Sequence, residues 1–243
     1  MTATARVAVL LPCFNEEAAI AQTVAGFRAA LPDAIIYVYD NNSRDRTREI
    51  AAEAGAVVRT ERQQGKGHVV RRMFADIDAD VYVMADRDLT YDPTSAPAMV
   101  DQLLTEQLDM VVGTRRHEHK AAYRGGHMFG NRLFTRLLAG LFGRSFSDIF
   151  SGYRVFSRRF VKSFPVLSSG FEIETELSAH AQQIAAVVRE VPTPFGARVD
   201  GTLTAGNSTT LSDGASAVLV TSEAFAEKHG LDVLGHGRAG GLF

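Results

Sequence analysis

The 243-residue chain predicts an α/β fold, a mostly parallel sheet with helices on both faces. Three observations carry this. Short runs rich in β-branched residues alternate with segments of helical apolar spacing, and each run ends in polar or glycine residues. Strand–helix–strand repetition of this kind builds parallel strands covered by crossover helices. Finally, 46% of the residues are hydrophobic against 22% charged, so a chain of this length can bury a large core without disulfide or metal staples.

In order, residues 6–11 (RVAVLL) read as the first strand and 16–30 as a helix, with Asn15 as its N-cap and Glu16 and Glu17 suited to the helix dipole. Strands follow at 35–39 (IIYVY), 56–59, 81–84 (VYVM) and 110–113, separated by helical patterns at 46–54, 66–77 and 95–107. The second half changes character. Residues 126–140 form a basic and apolar amphipathic pattern, with Arg132 and Arg136 beside Leu133, Phe134, Leu137 and Leu138. A helix is expected at 172–185 and a strand at 187–191, ending at Pro192. From Gly201 onward Gly, Thr, Ser and Ala dominate, with one helical stretch at 216–228 and a mobile tail at 235–243. This division gives a main domain over 1–200 and a loop, short helix and tail over 201–243.

The formal net charge is -2, from 26 basic and 28 acidic residues, which argues against a general nucleic-acid binder. A single cysteine, Cys13, excludes an intramolecular disulfide framework and a multi-cysteine zinc site. No run approaches the roughly 18 apolar residues of a spanning helix, so the expectation is a soluble cytoplasmic protein. The 126–140 pattern adds either peripheral contact with the inner membrane face or a core helix with a solvated basic side.

Ligands of parallel sheets sit beyond the carboxyl ends of the strands, which directs attention to the residues after each strand. After the first comes Pro12-Cys13-Phe14-Asn15-Glu16-Glu17, with no glycine. A dinucleotide fold needs G-x-G-x-x-G at this turn, so NAD or FAD chemistry is disfavoured. After the second strand, Asp40-Asn41-Asn42-Ser43-Arg44-Asp45 reads either as a tight turn or as partners for a nucleotide base or ribose. After the fourth, Asp86-Arg87-Asp88 puts two carboxylates at i and i+2 on one side of an extended segment. Such a pair is either a solvated loop or a grip for Mg²⁺ or Mn²⁺ that leaves metal sites for diphosphate oxygens.

These motifs, with QGKG (64–67), VVGTR (111–115), GNRL (130–133), SDIFSGYRVFSRR (147–159) and GFEIETEL (170–177), resemble the inverting family 2 glycosyltransferases of GT-A fold. The nearest branch is the dolichyl-phosphate mannose synthase or polyprenyl-phosphate sugar transferase type, over roughly residues 6–200. The resemblance implies that Pro12, Phe14 and Glu16 line a nucleotide site, with Asp40 or Asn41 near the base. Lys66 and Arg198 join the donor-binding set. Asp86 and Asp88 become the metal pair for Mg²⁺ or Mn²⁺. Arg115 orients diphosphate or lipid phosphate, and Asp148, Ser151 and Arg154 lie beside the acceptor. Glu172 and Glu174 either cap the following helix or act directly.

There are departures from the family pattern. Arg87 stands where a small residue is usual, Arg46 replaces a turn glycine, and Thr90 replaces a glutamine of some relatives. The late phosphate-binding lysine is absent from 198–205 (RVDGTLTA). Membrane helices that follow in many relatives are not expected here. The implied reaction moves a hexose from a nucleotide-diphosphate sugar, of GDP-mannose or UDP-glucose type, to a polyprenyl or dolichyl phosphate at a membrane surface. The alternatives are transfer to a hydroxyl, with Glu172 or Glu174 as base, and a nucleotide-sugar-binding module without catalysis. A sugar-phosphate nucleotidyltransferase would need a glycine-rich first turn that PCFNEE does not supply. Residues 201–213 are expected to form a mobile loop that closes over donor.

Overall fold

A computed structural model of the chain describes residues 5–85, 91–117, 148, 151–170 and 172–195. The expectations for 126–140, 201–213, 216–228 and the tail lie outside these residues. Among the described residues seven strands form one sheet in the order β3-β2-β1-β4-β6-β5-β7. They are β1 (Val7–Cys13), β2 (Ile35–Asp40), β3 (Val57–Thr60), β4 (Val81–Met84), β5 (Met110–His117), β6 (Arg154–Ser157) and β7 (Val188–Phe195). The helices are α1 (Ile20–Ala30), α2 (Thr47–Glu53), α3 (Lys66–Asp76), α4 (Ala96–Thr105), α5 (Arg158–Ser163) and α6 (Ile173–Gln183).

The sheet is mostly parallel, as the alternation requires: β1 pairs in parallel with β2 and β4, β2 with β3, and β5 with β7. Strand β6 is the exception. It inserts antiparallel between β4 and β5, at a stretch that carries no strand pattern in the sequence. Four residues opening on an arginine offer no readable period. Alternation sorts the strand residues onto two cores. Leu10, Tyr82, Met84, Met110, Val112 and Phe156 meet α3, α5 and α6 through Met73, Phe160 and Leu177. Val9, Leu11, Val38, Val83, Val111 and Val155 meet α1 and α4 through Val24, Phe27, Met99 and Leu103. Among the described residues no helix is long and apolar enough to cross a membrane.

Two boundaries differ from expectation. Asn15 does not cap α1. It holds a left-handed φ of 52°, and its Oδ1 accepts the Arg44 N–H at 2.9 Å. The helix begins at Ile20 instead, after the Glu16 carbonyl has accepted the N–H groups of Ala19 and Ile20 at 3.1 and 3.0 Å. Strand β7 does not stop at Pro192 but continues through Pro194, aligned with Thr114 and Arg116 of β5. It lies at the end of the strand order, where a proline's missing N–H breaks no ladder bond.

The aromatic layer under α6 contains a titratable group. The His180 ring stands at 5.6 Å from Phe160 and 5.2 Å from Phe164. Burial pushes its pKa below the usual histidine value, against the opposing charge of Glu176. With the folded pKa depressed, the unfolded chain binds more protons, so this contribution is complete above the unfolded value of about 6.5 and fades as pH falls through the folded one. His180→Phe is therefore expected to flatten the acid-side decline of the urea midpoint. An unchanged slope would show that His180 titrates alike in both states.

Candidate active site

The site is built first at the carboxyl ends of β1 and β2, where Cys13 lies in register with Asp40. The Asn41 N–H donates to the Cys13 carbonyl at 2.8 Å. The two following loops then interlock. The Asn15 N–H donates to Ser43 Oγ and the Glu16 N–H to Thr47 Oγ1, both at 2.8 Å. Asp45 accepts the N–H groups of Glu17 at 3.2 Å and Thr47 at 3.0 Å. Pro12, Phe14 and Glu16 are thus brought to the same edge as Asp40 and Asn41, with Glu16 buried and Phe14 half-buried. The Asp40 carboxylate is fully buried, accepts the Ser43 N–H, and has Arg48 Nε at 4.0 Å.

Asn41 ties this edge to the next motif. Its Nδ2 donates to the carbonyls of Glu61 (2.9 Å) and Gln63 (2.7 Å), while its Oδ1 accepts the Gly65 N–H at 2.7 Å. The amide therefore shapes the 61–65 loop and delivers the start of α3 to the site. Gly65 has φ 132°, and a Cβ there would overlap the Ser169 carbonyl. A Cβ on Gly67 would overlap the backbone of Ser168 and Ser169. The glycines let the 168–169 backbone lie on the helix start, where the Gly67 N–H donates to Ser169 at 3.1 Å. Lys66, between them, is buried and forms an ion pair with buried Glu174 of α6.

This close approach has a measurable sign. Helical Gly→Ala ordinarily stabilises by roughly 0.5–1 kcal/mol. Gly67→Ala is instead expected to destabilise by about 1–3 kcal/mol, because a backbone segment must move. The urea midpoint at unchanged m-value reads the difference. A gain in stability would mean that the 168–169 segment yields freely.

The D-x-x-S-G-Y-R stretch forms the other wall. Ser151 Oγ donates to the Gly113 carbonyl at 2.5 Å, pinning the turn to β5 two residues before Arg115. The Gly152 N–H donates to the Tyr91 hydroxyl at 3.0 Å, and the Tyr153 hydroxyl donates to the Asp92 carbonyl at 3.3 Å. Burial, followed by nearby Asp92, raises the Tyr153 pKa, so it acts here as a neutral donor. Asp148 is buried, and its N–H reaches Glu190 Oε1 at 3.4 Å. Arg154 is fully buried, and its pKa is lowered by loss of hydration against the opposing carboxylates of Glu174 and Asp148.

The three glutamates opening α6 have separate roles. Glu172 is exposed and accepts the Gly170 N–H at 3.0 Å. Its own and the Gly170 backbone N–H hold its carboxyl below the usual range. Glu174 holds Lys66. Glu176, which motif reasoning did not single out, accepts the N–H groups of Leu167 at 2.7 Å and Ser168 at 2.8 Å. The signal was present in the spacing: residues i and i+4 share a helix face, while i+2 points away from both.

Asp86, Asp88 and Arg198 lie outside the described residues, and Arg115 is described through its backbone in β5 alone. Among the described residues no group of three or more His, Cys, Asp or Glu could hold a metal. The chain nevertheless leaves β4 at the centre of the site. Met84 pairs with Leu10 on one side and Arg154 on the other, and the Ala85 N–H donates to Leu10 at 3.3 Å. Asp86 follows directly. Two carboxylates as a donor set fit a hard divalent cation that completes its shell with diphosphate oxygens.

Residues 8–164 match the model described as Glycosyl transferase family 2. Protein RfbJ of Shigella flexneri is 52% identical over 122 residues, covering 50% of this chain and 95% of RfbJ. Glycosyltransferase AglJ of Haloferax volcanii is 38% identical over 197 residues, covering 80% of this chain but only 64% of AglJ. A dolichyl-phosphate hexose transferase of the same organism is 29% identical over 195 residues, covering 80% of this chain and 85% of that protein. Among solved structures, glucosyl-3-phosphoglycerate synthase from Mycobacterium tuberculosis, in complex with Mn²⁺, UDP-glucose and phosphoglyceric acid, is similar with a TM-score of 0.68. Identity there is 26%, over 81% of this chain and 72% of that one. The mixed seven-stranded sheet with its helices is of GT-A type.

Proposed function

Because the chain belongs to glycosyl transferase family 2, we propose that it moves a hexose from a nucleotide-diphosphate sugar to a polyprenyl or dolichyl phosphate, with inversion at the anomeric carbon. The observation that carries the choice of acceptor is the buried Lys66–Glu174 ion pair. A hydroxyl acceptor needs a base within hydrogen-bond reach, whereas a phosphate acceptor arrives already anionic. Of the two glutamates that could serve, Glu174 is engaged by Lys66, and Glu172 is made a weaker base by backbone N–H groups. The similarity to a dolichyl-phosphate hexose transferase supports the same reading.

In this proposal Pro12, Phe14, Glu16, Asp40 and Asn41 form the nucleotide end, and Lys66 and Arg198 join the donor-binding set. Asp86 and Asp88 would hold Mg²⁺ or Mn²⁺, which supplies charge neutralisation for the departing diphosphate. Arg115 and Asp148 orient the acceptor. Work at the inner membrane face follows from a lipid acceptor, with the protein bound peripherally.

A second reading rests on the solved neighbour bound to phosphoglyceric acid, an acceptor that is soluble. One experiment separates the two. GDP-mannose and UDP-glucose are each offered with Mn²⁺ to dolichyl phosphate in detergent and to 3-phosphoglyceric acid in buffer. Product on the lipid phosphate alone is expected. Transfer confined to the soluble acceptor would overturn the lipid assignment.

A further inference from the structure

We infer that Arg154 is a positioning residue: it fixes the first turn of α6 so that Glu174 holds Lys66 at the donor end of the sheet, and it does not touch substrate. The side chain is fully buried. Its Nε donates to the Ser151 carbonyl at 2.9 Å. One terminal nitrogen donates to the Glu174 carbonyl at 3.1 Å and to Ser178 Oγ at 3.0 Å, and the other approaches Met110 Sδ at 3.7 Å. Ser178 Oγ in turn donates to the same Glu174 carbonyl at 3.0 Å. The guanidinium and the serine thus converge on the main chain of the residue whose carboxylate engages Lys66.

The choice of residue is informative. Removing a guanidinium from water is costly, and an apolar side chain would fill the same volume without that cost. What the guanidinium adds is a rigid planar fork that reaches several acceptors in fixed directions, which an ammonium cannot do. Its backbone position extends the same role. Arg154 pairs with Met84, two residues before Asp86, and with Val112, three before Arg115. One residue therefore joins the strand leading to the carboxylate pair, the 148–153 turn and the Lys66–Glu174 pair. The inference rests on sugar transfer at this end of the sheet and not on the identity of the acceptor.

The test reads Lys66 directly. In the full chain, pulse acylation of amines followed by peptide mass spectrometry measures how well Lys66 is masked, with Glu174→Gln as the fully released reference. Arg154→Lys keeps the charge and loses the fork. It is expected to acylate Lys66 about tenfold faster and to lower kcat about tenfold with the donor KM within about twofold, the pattern of lost transition-state alignment. Ser178→Ala, which removes one hydroxyl, is expected to move both readouts the same way by a smaller factor. It decides the question alone if Arg154→Lys does not fold. Arg159→Lys, at the remote Asp109 pair, controls for general loosening and should leave Lys66 masked. Lys66 protection unchanged in both variants would overturn the inference. So would a raised donor KM at constant kcat, which would place Arg154 in contact with substrate.

Discussion

Asp88→Ala is expected to abolish sugar transfer, a fall of at least about a thousandfold, while the unfolding free energy from urea denaturation stays within about 0.5 kcal/mol of the parent. The two halves of that expectation have separate causes. The segment carrying Asp86 and Asp88 leaves the sheet at the junction of β1, β4 and β6, where Ala85 makes the last ladder-like bond to Leu10. A loop carboxylate of the kind expected at Asp88 adds little to stability. As half of a two-carboxylate donor set, however, it would be indispensable for holding Mg²⁺ or Mn²⁺ against a diphosphate. Nucleotide binding provides a readout independent of turnover. Mn²⁺ should raise the melting temperature in the presence of GDP or UDP for the parent and not for Asp88→Ala. Normal turnover by the variant would remove the metal assignment. Arg87→Ala is the companion measurement: tighter Mn²⁺ binding would show that Arg87 opposes the cation, and no change that it faces away.

Glu174→Gln has the second large effect, and it is an effect on folding. Both members of the Lys66–Glu174 pair are nearly inaccessible, with side-chain exposures of 5% and 9%. Leaving a buried ammonium uncompensated costs about 3–5 kcal/mol, whereas replacing both charges by apolar groups is often neutral. The single variants Glu174→Gln and Lys66→Met are expected to fall by that amount, and the Lys66→Met/Glu174→Leu double variant to recover most of it. Additive losses in the cycle would mean that the pair contributes no coupling. The kinetics separate this role from base catalysis. If Glu174 only holds Lys66, surviving Glu174→Gln enzyme keeps the acid limb of its pH–rate profile and loses about tenfold in kcat at little-changed donor KM, as expected for Arg154→Lys. Disappearance of that limb, together with a collapse in kcat, would identify Glu174 as a base and favour a hydroxyl acceptor.

Much of this architecture is legible in the amino-acid order. The runs at 6–11, 35–39, 56–59, 81–84 and 110–113 all appear as strands, 81–84 at its expected bounds and the others with ends shifted by one to four residues, because alternate residues must serve two cores and the central runs are apolar throughout. Once those strands are parallel, the residues after them must gather at one edge. PCFNEE and DNNSRD do gather there, bound to each other through Asn15, Ser43 and Thr47. The placing of these two segments at one edge therefore follows from the amino-acid order.

The tertiary structure decided which distant residues those side chains hold. Asn15 carries the residue type of a cap, yet the turn out of β1 required a left-handed residue, and its amide went to Arg44. Arg154, expected beside the acceptor, is fully buried and donates to the Glu174 carbonyl. Strand β6 exists because β4 and β5 present two open ladders for it to complete, although four residues beginning with arginine carry no strand signal of their own. Lys66 and Glu174 are 108 positions apart. Local periodicity records which face of an element is apolar. It holds no record of which distant charge will share a buried site, since that energy exists only after the chain has closed and water has been excluded from both partners.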